Sequence, residues 1–385
     1  MMRKIKELQL FKLPPRWLFL KITTSDGIVG WGEPIVEGKA DTVAAAVKEL
    51  GQNLIGHEAG NIEDIYQMLY RGSFYRGGPV LMSAISGIEQ ALWDIKGKSL
   101  DVPVYELLGG AVRDKMQVYS WVGGDKPSEL INAIRQRQEM GFQHVKMNAV
   151  GKVKWLETPQ QIETIVQKIA HIRDEIGWDI SIGLDFHGRV RKAMAKRLVA
   201  ELDPLQPMFI EEPVLSENLA TLDVLSQYTS APLATGERLY GRSGFKPLLE
   251  GGYVDIIQPD LSHAGGIWET RKIAAMAETY DVAIAPHCPL GPISFASALQ
   301  LDFCSPNALI QETSLGIHYH DDSMDLLDYL VDPDIFEVKD GYIERNDRPG
   351  LGIEIDEKKV KKAAQQSHDW HNPIWRNEDG SITEW

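Results

Sequence analysis

The chain has 385 residues, 43% hydrophobic and 25% charged, an ordinary composition for a soluble enzyme and long enough for one barrel of about 200 to 250 residues plus a second domain. Its formal net charge of −15 opposes binding to nucleic acid or to anionic membranes, which need clustered Lys and Arg, and requires a local cation for any anionic substrate. The N-terminus lacks a signal-type apolar stretch, nowhere do about 18 apolar residues run together, and Cys288 and Cys304 are too few for a disulfide framework, so a cytoplasmic location is expected.

Residues 3–12 (RKIKELQLFK), 17–23 (WLFLKIT) and 28–33 (IVGWGE), the last two joined by the turn TSDG, form the pattern of an antiparallel meander. Helical patterns follow at about 41–54, 61–68 and 82–98, which makes residues 1–115 an α+β domain. Between the last two, YRGSFYRGGPV at 70–80 has the glycines and aromatics of a loop that closes over a ligand, or of a buried helix connection.

From Gln117 the pattern becomes parallel. QVYSWV (117–122) and FQHVKMN (142–148) are the first two strands, and six more apolar runs end in Asp185, Glu211, Glu237, Asp260, His287 and Glu312, at gaps of 26, 26, 23, 27 and 25 residues. A strand, a crossover helix and two loops take roughly that length, so eight strands and seven helices over residues 116–315 predict a (β/α)7β TIM-like barrel. The loops at the C-terminal strand ends of such a barrel build its active site, and a polar residue at each end reads as a ring of functional groups around one cavity. Residues 316–385 are expected to be irregular and to return to the first domain, anchored by Trp370, Trp375 and Trp385.

Asp185, Glu211 and Glu237 come from consecutive strands, so their carboxylates converge. Three unit charges about 5 Å apart at an effective dielectric near 20 repel by roughly 3 kcal/mol per pair. A hard divalent cation removes that cost, and without a thiolate the ligand set favours Mg²⁺ over Zn²⁺; the alternative is that each acid pairs with its own base, as Arg238 would with Glu237. Asp185 and His187, two apart on one strand, share a face. His287 would have its tautomer fixed and its basicity raised by Asp260 one strand earlier, whereas Cys288 faces away as a packing residue.

The motifs LDFHG (184–188), FIEEPV (209–214), GER (236–238), QPDLSHAGG (258–266), APHCPLGPI (285–293) and QETSLGIHY (311–319) resemble the enolase superfamily in its mandelate-racemase-like branch, and within it the sugar-acid dehydratases acting on D-galactonate. The likeness extends from PPRW (14–17) and FYRGGP (74–79) to the final EW. It implies an α+β capping domain over the barrel, completed by the C-terminal segment, with PPRW and FYRGGP covering the substrate. It also implies one Mg²⁺ per subunit on Asp185, Glu211 and Glu237, His287 with Asp260 as the base at C2, His187 as the acid for the 3-hydroxyl, and Glu312 bonded to the substrate carboxylate. The reaction expected is D-galactonate to 2-dehydro-3-deoxy-D-galactonate plus water, in a homo-oligomer. Relatives carry a Lys-x-Lys base at the end of strand two, but Lys146, Met147 and Asn148 here leave no lysine pair on the opposite face, which lowers the racemase or epimerase reading. Dehydration of gluconate or mannonate, a metal-dependent hydrolase and a non-catalytic sugar-acid binder are the other readings.

Overall fold

A computed structural model describes residues 3–316 and 325–385. The capping domain opens on an antiparallel sheet of Ile5–Leu13 (β1), Trp17–Thr24 (β2) and Val29–Gly32 (β3), in the order β1-β2-β3. β3 reads VGWG because the helix Pro79–Leu100 lies directly on it: a Cβ at Gly30 or Gly32 would overlap the carbonyl groups of Ala91 and Gly87. That helix is buried on almost every side from Met82 to Ile95, which is why its apolar residues surround the cylinder instead of forming one stripe.

Eight parallel strands follow: Lys115–Val122 (β4), His144–Asn148 (β5), Ser181–Asp185 (β6), Ile210–Glu211 (β7), Leu233–Thr235 (β8), Ile256–Ile257 (β9), Ala283–Ile284 (β10) and Gln311–Thr313 (β11). They are ordered β10-β9-β8-β7-β6-β5-β4-β11, and a parallel bridge between Ile284 and Ala308 joins the two ends, closing the (β/α)7β barrel. Several strands are shorter than their apolar runs. After β8 the chain leaves the sheet at Gly236, whose φ of 141° suits only glycine and whose Cβ would sit 2.8 Å from the Phe245 ring. Tyr119, Phe209, Ala234, Ile256, Ala285 and Ile310 fill the interior, with Tyr119 and Phe209 edge to face at 5.7 Å, so the polar groups above stand on a packed floor. No helix among the described residues is long and apolar enough to cross a membrane.

The last segment is less irregular than its composition suggests. β4 starts three residues before its pairing with β11, and Tyr342–Glu344 (β12) covers that extra edge in antiparallel register. The helix Glu357–Ala363 returns to the cap, where Lys21 meets Glu357 at 2.7 Å.

Two buried cap glutamates hold the barrel loops. Glu33 accepts from the N–H groups of Gly291 (2.7 Å) and Ser294 (3.0 Å) at the start of the helix Pro292–Cys304, and Glu89 accepts from Ile267 (2.7 Å) and Trp268 (2.8 Å) at the start of the helix Gly266–Thr279. Those helices follow the loops that carry His287 and Asp260. Burial pushes the Glu33 carboxyl up to about 7 and that of Glu89 up to about 8, against the lowering effect of the N–H donors. A carboxyl raised in the folded state contributes stability that is fully present below its unfolded value and is lost as pH rises through the folded one. The unfolding free energy is therefore expected to fall between about pH 5 and 8, a tenfold change in proton affinity being worth about 1.4 kcal/mol. Glu89→Gln should flatten part of that decline in denaturant titrations, and an unaltered slope would refute the assignment.

Candidate active site

Asp185 and Glu211, the last residues of β6 and β7, are register partners, and Glu237 lies two residues beyond β8. One oxygen from each lies within 4.8 Å of the others. Every donor is a hard oxygen, and Glu211 Oε2 is buried without a hydrogen-bond partner, so these residues fit a divalent cation of the Mg²⁺ type.

The chain also supplies counter-cations. Arg238 does meet Glu237, at 3.3 Å, and lies 3.6 Å from Glu212; Lys146 serves three acids, at 2.8 Å from Glu211, 2.9 Å from Glu312 and 3.5 Å from Asp185. Burial leaves Glu211 well above the usual carboxylate range despite Lys146, while His187 and Lys146 overcome burial at Asp185 and hold it well below. At Glu237 burial raises the carboxyl, but His287, Arg238 and His187 together outweigh it and hold it down to about 2. Lys146→Met would leave buried carboxylates without their shared cation. In chelator it is expected to destabilise the protein by about 3 to 5 kcal/mol, with much of the loss recovered at saturating Mg²⁺. Denaturant midpoints with and without the cation check this, and a midpoint equal to the parent's in chelator would refute it.

His287, three residues past β10, has Nδ1 2.8 Å from Asp260 Oδ2 and Nε2 3.2 Å from Glu237 Oε2. Burial lowers its proton affinity, but Glu237, Glu312 and Asp260 together push it up to about 10. His187 reaches the cavity by a different route from strand alternation: β6 ends at Asp185 and His187 sits at φ 50°, in a turn. Its backbone N–H donates to Asp185 Oδ1, its Nε2 lies 2.9 Å from Asp185 Oδ2, and its carbonyl accepts from Arg238 at 2.6 Å. Glu312, inside β11, meets Lys146 through Oε1 and accepts the Cys288 N–H through Oε2 at 3.0 Å. The Cys288 side chain is buried beside Ser294, with its thiol raised well above its ordinary value by burial, in keeping with a packing residue. Ile317, His318 and Tyr319 of QETSLGIHY lie outside the described residues.

His187, His287, Glu237, Glu312, Lys146 and Asn148 face one cavity of about 520 Å³. Its walls correct two expectations. FYRGGP does not line it: Phe74 and Tyr75 are 91% and 80% exposed, and Tyr75 and Arg76 border a second cavity of about 550 Å³ within the cap. Gly77 and Gly78, both at positive φ, turn the chain straight into the helix Pro79–Leu100, and this directs the loop away. PPRW does reach the cavity, through Arg16, which pairs with Glu37 and lies 5.1 Å from the Trp370 ring. Trp370, Trp375 and Trp385 also line the cavity, beyond any anchoring role, on a segment pinned by Arg191 to Glu384 at 2.9 Å. Sequence reasoning missed Lys168 and Arg189 as cavity residues, and Lys146 as the shared counter-cation of the acids; only the shortage of cations around an anionic ligand hinted at them.

Two family models match the chain: mandelate racemase / muconate lactonizing enzyme, N-terminal domain, over residues 15–109, and enolase C-terminal domain-like over residues 129–359. Curated relatives named D-galactonate dehydratase, from Cronobacter sakazakii and Ralstonia pickettii, are each 54% identical over 382 residues, covering 99% of this chain and 100% of the relative. One of the same name from Variovorax paradoxus is 53% identical with the same coverage. Among solved structures, an enolase from Agrobacterium radiobacter with sodium and L-malate bound matches 99% of both chains at a TM-score of 0.89 and 32% identity. A mandelate racemase/muconate lactonizing enzyme from Jannaschia sp. CCS1 matches at 0.85 and 28%, covering 96% of this chain and 99% of that one.

Proposed function

Because this chain belongs to the mandelate racemase / muconate lactonizing enzyme family of the enolase superfamily, we propose that it is a Mg²⁺-dependent hydro-lyase converting D-galactonate to 2-dehydro-3-deoxy-D-galactonate. The observation that carries the reading is the placement of two histidines, one oriented by Asp260, beside three oxygen ligands in one cavity.

His287 Nε2 takes the C2 proton, with Asp260 accepting from Nδ1 and so fixing the tautomer and favouring the imidazolium that forms. His187 gives a proton to the departing 3-hydroxyl, which leaves as water, and the resulting enol becomes the 2-keto acid. Lys146 and Glu312, 2.9 Å apart, flank the position proposed for the substrate carboxylate, where Lys146 offsets the charge it gains and Glu312, in its acid form, donates to it from Oε1. Asp185, Glu211 and Glu237 would hold the cation, which when bound neutralises charge on the substrate carboxylate and offsets the field of Glu237 that keeps His287 protonated. Proton transfer to a second face is disfavoured, since Asn148 on the cavity wall is an amide that takes no proton and Lys146 is held by Glu211 and Glu312.

Asp260→Asn removes one of the groups that raise His287, so the ascending limb of kcat/KM should move to lower pH while the rate falls. The function itself is tested by a panel of aldonic acids assayed for 2-keto acid with Mg²⁺. D-Galactonate is expected to give the highest kcat/KM. Preference for gluconate or mannonate would move the assignment to another epimer, and C2 epimer without keto acid would replace dehydration by epimerisation.

A further inference from the structure

Arg238 ties three successive strand ends together. From the loop after β8 its Nη2 donates to the His187 carbonyl, beyond β6, at 2.6 Å, and its Nε lies 3.3 Å from Glu237 Oε1 and 3.6 Å from Oε2 of Glu212, the residue after β7. The backbone it grips is left-handed: His187 sits at φ 50°, Gly188 at 64° and Glu212 at 44°. A residue other than glycine keeps such a conformation where its surroundings over-determine it. Here the Gly188 N–H donates to the Glu212 carbonyl at 2.8 Å, and a Cβ at Gly188 would lie 3.4 Å from Arg238 Nη1, so the guanidinium packs against the turn as well as bonding to it. The buried Glu212 carboxylate beside the guanidinium is itself fixed, since its Oε1 accepts from the Thr235 hydroxyl and the Gly236 N–H.

We propose that Arg238 is a positioning residue for the acid step: by holding the His187 carbonyl and packing on Gly188, it keeps the His187 imidazole aimed at the departing 3-hydroxyl. This rests on the dehydratase reading above and deepens it. Arg238 does not line the cavity, whereas His187 does, so it acts through His187 and the proton still passes from the imidazole to the oxygen as the C3–O bond breaks. A guanidinium suits the task because its rigid fork bonds a carbonyl with one nitrogen while another faces carboxylates, which a single ammonium nitrogen does not reproduce. The base is oriented independently, by Asp260 Oδ2 at 2.8 Å from His287 Nδ1. Loss of the clamp therefore separates the two proton transfers.

The test measures dehydration of D-galactonate and exchange of its C2 proton with deuterated solvent, both at saturating Mg²⁺, in the parent, Arg238→Met and Arg238→Lys. In Arg238→Met, kcat for dehydration should fall about 10- to 100-fold, the loss expected when a catalytic group is displaced by about 1 Å, while exchange and KM stay within about threefold of the parent. Arg238→Lys keeps the charge beside Glu237 and loses the fork, so it should show the same split, and it carries the comparison if Arg238→Met does not fold. Mg²⁺ affinity, read by calorimetric titration, should not fall in either variant, because Arg238 competes with the cation for Glu237. Equal falls in dehydration and exchange, weaker Mg²⁺ binding, or full dehydration by either variant overturns this proposal and leaves the dehydratase reading standing. A parent that forms no 2-keto acid from D-galactonate overturns both.

Discussion

His287→Asn is expected to abolish both dehydration and exchange of the C2 proton with deuterated solvent, whereas His187→Asn should lose dehydration and retain exchange. The two histidines stand on different loops with different partners, Asp260 for one and Asp185 for the other, and the proposed chemistry gives them different bonds. A general acid or base typically contributes about 10²- to 10⁴-fold, so each loss is large. A 3-deoxy-3-fluoro analogue sharpens the separation, because fluoride needs less protonation than hydroxide to leave. The His187 variant should eliminate fluoride far faster than it dehydrates D-galactonate, and the His287 variant should do neither. Equal failure of both variants on the fluoro analogue, with substrate and Mg²⁺ binding intact, would remove the acid role from His187 and leave it as a positioning residue for Asp185.

Excess chelator is expected to end turnover, and Mg²⁺ more than Zn²⁺ to restore it, since the cluster offers oxygen donors alone. Glu237→Gln replaces a charged donor with a neutral one and should weaken Mg²⁺ binding at least about tenfold, or 1.4 kcal/mol, in calorimetric titration. The same variant relieves His287 of the carboxylate that most raises its proton affinity, so metal binding and pH profile should change together. Full activity in chelator, or an unaltered affinity in the variant, would mean that the three acids serve the fold and that the chain's own cations, Lys146 and Arg238 among them, neutralise the cluster.

The barrel was legible because each strand is short and apolar, ends in a polar residue and is followed by a helix, so the period survives even where only two residues join the sheet, as at β7, β9 and β10. The acids were legible for the same reason. What escaped the sequence is whatever depends on where non-periodic chain is carried. His187 is turned by a left-handed residue conformation that a two-residue alternation does not anticipate. Lys146 sits in a strand whose side-chain direction only the closed barrel fixes, and Trp370 near the end of the chain meets Arg16, more than 350 positions away. FYRGGP misled because its composition is that of a lid, whereas its two final glycines point it elsewhere.

Glu33 and Glu89 bear on how this enzyme can be re-engineered. Each satisfies N–H groups of a barrel helix from the capping side, and each lies so close to a glycine, Gly291 and Gly266, that a side chain there would displace it. Caps are therefore not interchangeable modules: a chimera that takes its cap from one relative and its barrel from another must keep both acid–glycine pairs matched, or two helix starts lose their partners. Recombination breakpoints that separate residues 33 and 89 from 266 and 291 should be depleted among active hybrids unless both parents carry the pairs.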